Sequence, residues 1–247
     1  MHSDQKLIIA GEFYHLYQYS TPIIYDIKQP NRPSAPKSQH SDVRSDNRSN
    51  FYRTKKAIKL LLQANTEGRH FADDSTTRPQ FVTLTFAENI SEVAAANRVF
   101  SKFVQNINYK IFKEKKAKLK YLAVIEFQKR GAIHYHVIFF NPIEISEFYD
   151  VVKEYWTSGY ATIQKISSQQ HLINYVHKDL TKLRQKKSLY GKKAYFCSRG
   201  LRQPSLYRQP LTIKDLLPNE SCLQFSKTYT KDSVTTTYKC YKASAHN

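Results

Sequence analysis

Two stretches of the chain carry residue types at spacings that chemistry can use. In Glu126 to Phe140, EFQKRGAIHYHVIFF, His134 and His136 stand two residues apart within an apolar run. A strand alternates its side chains, so both imidazoles fall on one face. Two imidazoles on stiff backbone make half of a divalent-metal site. If Lys129, Arg130 and Gly131 form a three-residue turn, Glu126 lies opposite His134 with its carboxylate on the same face. A register slip of one residue sends that carboxylate to the other face. A hairpin with a solvated histidine pair is the alternative to a metal site. The second stretch, HLINYVHKDLTK, runs from His171 to Lys182. On a helix, His171, Tyr175, Lys178 and Lys182 share a face. Tyrosine is a poor nucleophile while protonated, with a pKa of about 10. It becomes useful against phosphate when a cation or metal stabilises its phenolate and the developing phosphoryl charge. A metal on the histidines would polarise a phosphodiester, Tyr175 would attack in line, and Lys178 would help neutralise the charge. An exposed basic helix with an incidental ring is the other reading.

Composition points the same way. The 247 residues hold 39 Lys and Arg against 20 Asp and Glu, a formal net charge of +19. Solubility does not need that much; it implies a polyanionic partner, most simply nucleic acid. The apolar stretches are too short to span a membrane, and the opening MHSDQKLIIAGEF has too short an apolar core for a signal peptide. Cys197, Cys222 and Cys240 are odd in number and lack metal-type spacing, which suggests reduced thiols in a cytoplasmic protein. With 18 Tyr and 14 Phe, rings are available to stack on bases, although most Phe should be core.

The elements that must position these residues follow from periodicity. Residues 1–50 read as an N-terminal arm: a tyrosine-rich apolar segment, Leu7 to Tyr25, then a Pro/Ser/Asn-rich flexible linker over 29–50. Tyr14, Tyr17 and Tyr19 are expected to pack. A helix from about Asn50 to Ala64 places Ala57, Ile58, Leu61 and Leu62 on one stripe, with Arg53 and Lys55, Lys56 and Lys59 on the rest. Phe81 to Phe86 alternates apolar with Thr, a half-buried strand. Asn89, with Glu92 three residues on, is a plausible helix start, and Val93 to Ile107 repeats at helical spacing. After a lysine-rich loop over 113–120 come strands at Tyr121–Phe127 and Ala132–Phe140. A helix follows over Ile143–Trp156, then a strand over Tyr160–Ile166 and a helix capped by Ser167 or Ser168. This β-α-β-β-α-β order with one more helix predicts an α+β fold. Its core is a ferredoxin-like (split βαβ) antiparallel sheet with covering helices and the Tyr175 helix after the last core strand. Residues 183–194 continue the basic run, and Arg199 is placed against a phosphate or a buried acid. Residues 205–247 read as a short helix at Leu211–Leu217 and a hairpin turning at Lys231-Asp232, packed on the 51–204 domain. Phe225, Tyr229, Tyr238 and Tyr241 are read as packed, with stacking on bases as the alternative.

FVTLTF (81–86), EFQKRGAIHYH (126–136) and YVHKDLTK (175–182), in that order, resemble the three motifs of HUH endonucleases. Within that superfamily they are most similar to rolling-circle replication initiator (Rep) proteins of small bacterial plasmids and single-stranded DNA phages. YFCSRGLRQP, Tyr195 to Pro204, is also similar to such initiators. The resemblance covers roughly residues 50–204. It implies site-specific, metal-dependent nicking and rejoining of single-stranded DNA through a 5′-phosphotyrosine, with Mg2+ or Mn2+ as the ion. His134 and His136 match the paired ligands, and Glu126 the third ligand or its supporting partner. Tyr175 matches the nucleophile and Lys178 the lysine three residues on. Many relatives carry a second tyrosine four residues after the first. Here Asp179 stands there while Lys182 is kept, so a two-tyrosine relay is in doubt. Lys129, Arg130, Arg53, Lys182 and Arg199 are the expected DNA contacts. The partners implied are single-stranded or hairpin origin DNA, a host DNA polymerase and, since no G-x-x-x-x-G-K-[ST] occurs, a host helicase. A single-tyrosine HUH transposase or relaxase keeps the chemistry and changes the biology. A non-catalytic single-stranded nucleic-acid binder uses stacking and phosphate contacts alone.

Overall fold

The computed structural model describes residues 2–24, 43–66, 79–128, 130–140, 145–164, 166, 168–170, 172–176 and 195–243. In chain order the elements are β1 (His2–Ala10), β2 (Phe13–Ile24), α1 (Val43–Asn65), β3 (Gln80–Phe86) and α2 (Val93–Phe112). There follow β4 (Tyr121–Phe127), β5 (Ile133–Phe139), α3 (Ile145–Tyr155), β6 (Gly159–Gln164) and a helix α4 at 169–170 and 172–176. The chain continues with β7 (Tyr195–Cys197), β8 (Ser205–Tyr207), α5 (Pro210–Leu216), β9 (Leu223–Lys231) and β10 (Val234–Lys242). The fold is mixed α+β, with two five-stranded antiparallel sheets. The chain divides into two compact units, Asn47–Leu201 and Met1–Asp46 with Arg202–Asn247.

In the first unit the strand order is β6-β3-β5-β4-β7. The first four strands have the order of a split βαβ sheet, with β5 between β3 and β4, and β7 extends the β4 edge. Alternation sorts the faces. Leu84, Phe86, Tyr135 and Phe139 lie on the face that α2 and α3 cover: Phe100 stacks on Tyr135 at 4.5 Å between centroids, and Trp156 meets Phe86 at 5.1 Å and Phe103 at 5.3 Å. α2 begins at Val93 because Glu92 caps it, its carboxylate accepting from the Ala94 and Ala95 amides. The start expected at Asn89 is thus three residues early; Glu92 itself supplies the oxygens that the free amide groups need. The lysine-rich loop after α2 is held by buried Asn108, which accepts from the Lys118 and Leu119 amides and donates to the Glu114 and Lys116 carbonyls. On the other face α4 presents Leu172, Ile173 and Val176 to the core cluster that α1 also joins through Ile58, Leu61 and Leu62. Gln169 at the start of α4 donates to Thr66 just past α1.

The second unit corrects the reading of the termini. Residues 2–24 are not an arm: β1 and β2 are the centre of a sheet ordered β8-β1-β2-β10-β9. The C-terminal hairpin pairs along β2, Thr236–Lys242 opposite Tyr19–Phe13, so it clusters with the N-terminus rather than with residues 47–201. A lone hairpin is marginal in water, and both hairpins gain by joining into one sheet. Leu7, Leu16 and Tyr241 line a small core closed by Ile213 of α5. The hairpin turns at Asp232-Ser233, both at positive φ as a two-residue primed turn requires, one residue later than the Lys231-Asp232 turn read from the sequence. The linker expected over 29–50 runs into helix from Val43, because α1 extends seven residues before Asn50; residues 29–42 lie outside the described residues.

Candidate active site

The hairpin has the register that brings the acid to the histidines. Gln128 N donates to Ala132 O and Gly131 N to Gln128 O, closing a three-residue turn at 129–131. Gly131 has φ +91°, a conformation only glycine adopts readily. Glu126 therefore pairs with His134, and Val124 with His136. One candidate ligand atom each from Glu126, His134 and His136 lies within 4.8 Å of the others. His136 Nε2 is 2.6 Å from Glu126 Oε2, with both side chains largely buried. The Nε2 atom of His134 is buried as well.

β3 completes the setting. Thr83 lies opposite His136 and Thr85 opposite His134. Thr83 Oγ1 sits 3.1 Å from His136 Nδ1, which turns Nε2 toward Glu126. Phe81 stacks on the His136 ring at 5.6 Å and 12°. Sequence reasoning assigned β3 no role in the site. The alternation in FVTLTF was the available signal, since every second residue of a strand beside β5 must share the histidine face.

Tyr175 arrives from α4. Its ring meets Phe81 edge-on at 4.8 Å and lies 6.1 Å from the His136 ring. It is half-buried, with Leu172, Ile173 and Val176 beneath it holding α4 to the sheet. Thus four of the residues singled out from sequence, Glu126, His134, His136 and Tyr175, come together on one face. Lys178, Lys182, Lys129, His171 and Asp179 lie outside the described residues. Arg130 is exposed at the hairpin tip, but its guanidinium donates to Gln128 Oε1 and to the Phe86 carbonyl. Arg53 is exposed on α1. Arg199, also exposed, lines a cavity of about 780 Å³ beside Cys197, Asn108 and Lys115; the described structure does not group it with the histidines.

The donor set suits a divalent ion. Metal–ligand bonds of about 2.0–2.2 Å keep the ligands of one ion within about 4.4 Å of each other, close to the spread seen. Among the described residues no helix is long and apolar enough to cross a membrane, and Cys197, Cys222 and Cys240 are free thiols. No curated protein and no solved structure matches the chain. Residues 79–184, from β3 to beyond Tyr175, match the family model of the replication-associated protein ORF2. That is a rolling-circle Rep family, and it implies a protein that binds DNA. The segment carrying the histidine pair and Tyr175 thus belongs to a replication-associated family, consistent with the HUH Rep resemblance of its motifs.

Proposed function

We propose that the chain initiates rolling-circle replication by nicking and rejoining single-stranded DNA at a specific site, with Tyr175 as nucleophile. The observation that carries this reading is the Tyr175 ring 6.1 Å from His136, itself part of the Glu126, His134 and His136 cluster. Glu126, His134 and His136 would hold Mg2+ or Mn2+; the two imidazoles beside a carboxylate favour Mn2+, which accepts nitrogen ligands more readily than Mg2+. Such an ion, when bound, withdraws charge from a phosphodiester oxygen.

The rest is the work of the chain. Tyr175 Oη attacks phosphorus, an O–P bond forms, and the bond to the 3′ oxygen breaks. The phenol proton is lost to solvent, and the leaving 3′ oxygen takes up a proton. One phosphodiester is exchanged for another, so the reverse attack by a 3′ hydroxyl rejoins the strand without ATP. Lys178 is assigned to the charge on the transferred phosphate. The released 3′ hydroxyl primes a host polymerase, with a host helicase opening the duplex.

The test uses a randomised single-stranded DNA pool labelled at its 3′ ends, incubated with the protein and Mn2+. Wild type should carry label covalently through denaturing gels, and sequencing the trapped DNA should return one recurring site. Tyr175→Phe should carry none, and His134→Ala with His136→Ala should abolish trapping. A Tyr175→Phe protein that traps DNA as wild type does removes Tyr175 as the nucleophile. Wild-type binding with no cleavage in any metal would leave the non-catalytic binder.

A further inference from the structure

One face of the second unit has no part in the cleavage chemistry. It is the side of the β8-β1-β2-β10-β9 sheet turned away from α5. The register puts Lys6, Tyr17, Tyr238 and Lys227 in a single row across β1, β2, β10 and β9. His15 and Phe225 fall in the row on one side, Tyr19 and Tyr229 in the row on the other. Aromatic side chains thus occupy the middle of the face, and lysines close both ends of its central row.

The rings are fixed in place. Tyr17 and Tyr238 lie 4.9 Å apart, and Phe225 lies 6.1 Å from Tyr238. His15, stacked at 6.1 Å on Tyr238, is buried with its Nδ1 2.8 Å from the Tyr238 hydroxyl. The Lys6 ammonium sits 4.5 Å over the Tyr17 ring. Outward from this packed centre, Phe225 remains 52% and Tyr229 44% exposed on the edge strand β9. Large rings held half-open on a surface normally cost solubility, and lysines alone would only solvate it. Rings and lysines in alternation match a ligand with flat apolar faces strung on a polyanion.

We infer that this face is a second binding site for single-stranded DNA. Unpaired bases stack on Phe225, Tyr229 and the exposed edges of Tyr17 and Tyr238, while Lys6 and Lys227 take backbone phosphates. A duplex hides its base faces, so the site selects single strands. Rings already locked by their neighbours lose little freedom when a base lands on them. The choice of DNA as the polyanion rests on the replication-family match of residues 79–184. It does not depend on Tyr175 or on a metal.

The experiment measures anisotropy of fluorescent oligo(dT) with the full chain in EDTA, where cleavage is silent. Phe225→Thr with Tyr229→Thr keeps β-forming residues at exposed positions and should weaken binding about tenfold, the scale of a lost stacked base. Thr228→Ala with Thr230→Ala alters the opposite face of the same strand and should leave affinity unchanged. Lys6→Ala with Lys227→Ala should lower the slope of log affinity against log salt by about 1.4, roughly 0.7 per phosphate contact. Oligo(dT) carrying 5-iododeoxyuridine should photo-cross-link to peptides of β2, β9 or β10. Wild-type affinity in the Phe225/Tyr229 variant overturns the inference. So does an equal loss in the Thr228/Thr230 variant, cross-linking confined to residues 47–201, or equal affinity for duplex. Ring-dependent binding by a protein that never traps DNA through Tyr175 would sink the nicking proposal alone.

Discussion

Thr83→Val tests whether β3 helps to build the metal site or only borders it. The substitution keeps the β-branched shape at a half-buried strand position and removes one oxygen, 3.1 Å from His136 Nδ1. As the site stands, His136 Nε2 faces Glu126 Oε2 at 2.6 Å, a contact in which a proton is shared across Nε2 and the carboxylate. For Nε2 to ligate an ion, the proton must sit on Nδ1 instead, where Thr83 Oγ1 is the acceptor. The hydroxyl can serve either tautomer by rotating. Valine can serve neither, leaving Nδ1–H without that acceptor in the ligating form. One hydrogen bond is worth about 1–1.5 kcal/mol net, roughly a tenfold loss, and groups that orient ligating histidines typically account for about 10–100-fold in metal affinity. Titration calorimetry with Mn2+ should therefore show a dissociation constant raised by about 10–100-fold in Thr83→Val. Thr162→Val, exposed on the far neighbour of Thr83 in β6, should change it less than about twofold. If Thr83→Val binds Mn2+ as wild type does while Glu126→Gln does not, His136 is oriented by Glu126 and Phe81 alone and this reasoning fails.

Other consequences follow from the packing. Gly159→Ala would put a Cβ 2.1 Å from the Thr85 carbonyl oxygen and 2.5 Å from the Ala87 amide nitrogen, backbone atoms that cannot swing aside. We expect a loss of about 3–5 kcal/mol in denaturant unfolding, and a variant within about 1 kcal/mol of wild type would contradict the β3–β6 pairing. Tyr135→Phe removes a hydroxyl that donates to Asn97 Oδ1 at 2.6 Å and should cost about 1 kcal/mol without altering metal affinity, since that ring lies on the α2 face. Burial pushes the Tyr17 and Tyr238 phenols well above their usual range, with neighbouring tyrosines adding to the rise at Tyr17. The folded state thus keeps both protonated where the unfolded chain ionises. Their contribution is complete below about pH 10 and falls as pH rises past it toward the folded values. Unfolding followed from about pH 9 to 11 should show a shallower decline in Tyr17→Phe than in wild type, and parallel curves would refute the assignment.

Much of the first unit could be read locally. The period-two run through His134 and His136, the Gly131 turn and the helical stripes of α2 and α3 are short-range patterns, and each forms where the pattern indicates. Their β-α-β-β-α-β succession leaves few compact arrangements, which is why the split βαβ order follows from them. The pairing of Glu126 with His134 was legible only on condition of a three-residue turn. The condition is met through the Gln128 and Ala132 backbone bonds.

What no local pattern carries is which distant strands pair. Residues 2–24 read as an arm because two short strands cannot be stable alone, and their partners stand more than two hundred residues further on, in β10. The same distance hid the aromatic and lysine face, since Tyr17 and Tyr238 become neighbours only when that sheet closes. It also hid the place of β3 in the site. Residue types and spacing determined that the chain carries a histidine pair, an acid in register and a tyrosine on a helix. The fold decided that Phe81 and Thr83 hold the His136 ring, and that α4 packs so as to bring Tyr175 beside it. Alternation fixes the face to which a side chain points, whereas the neighbour it meets across that face is set by long-range packing.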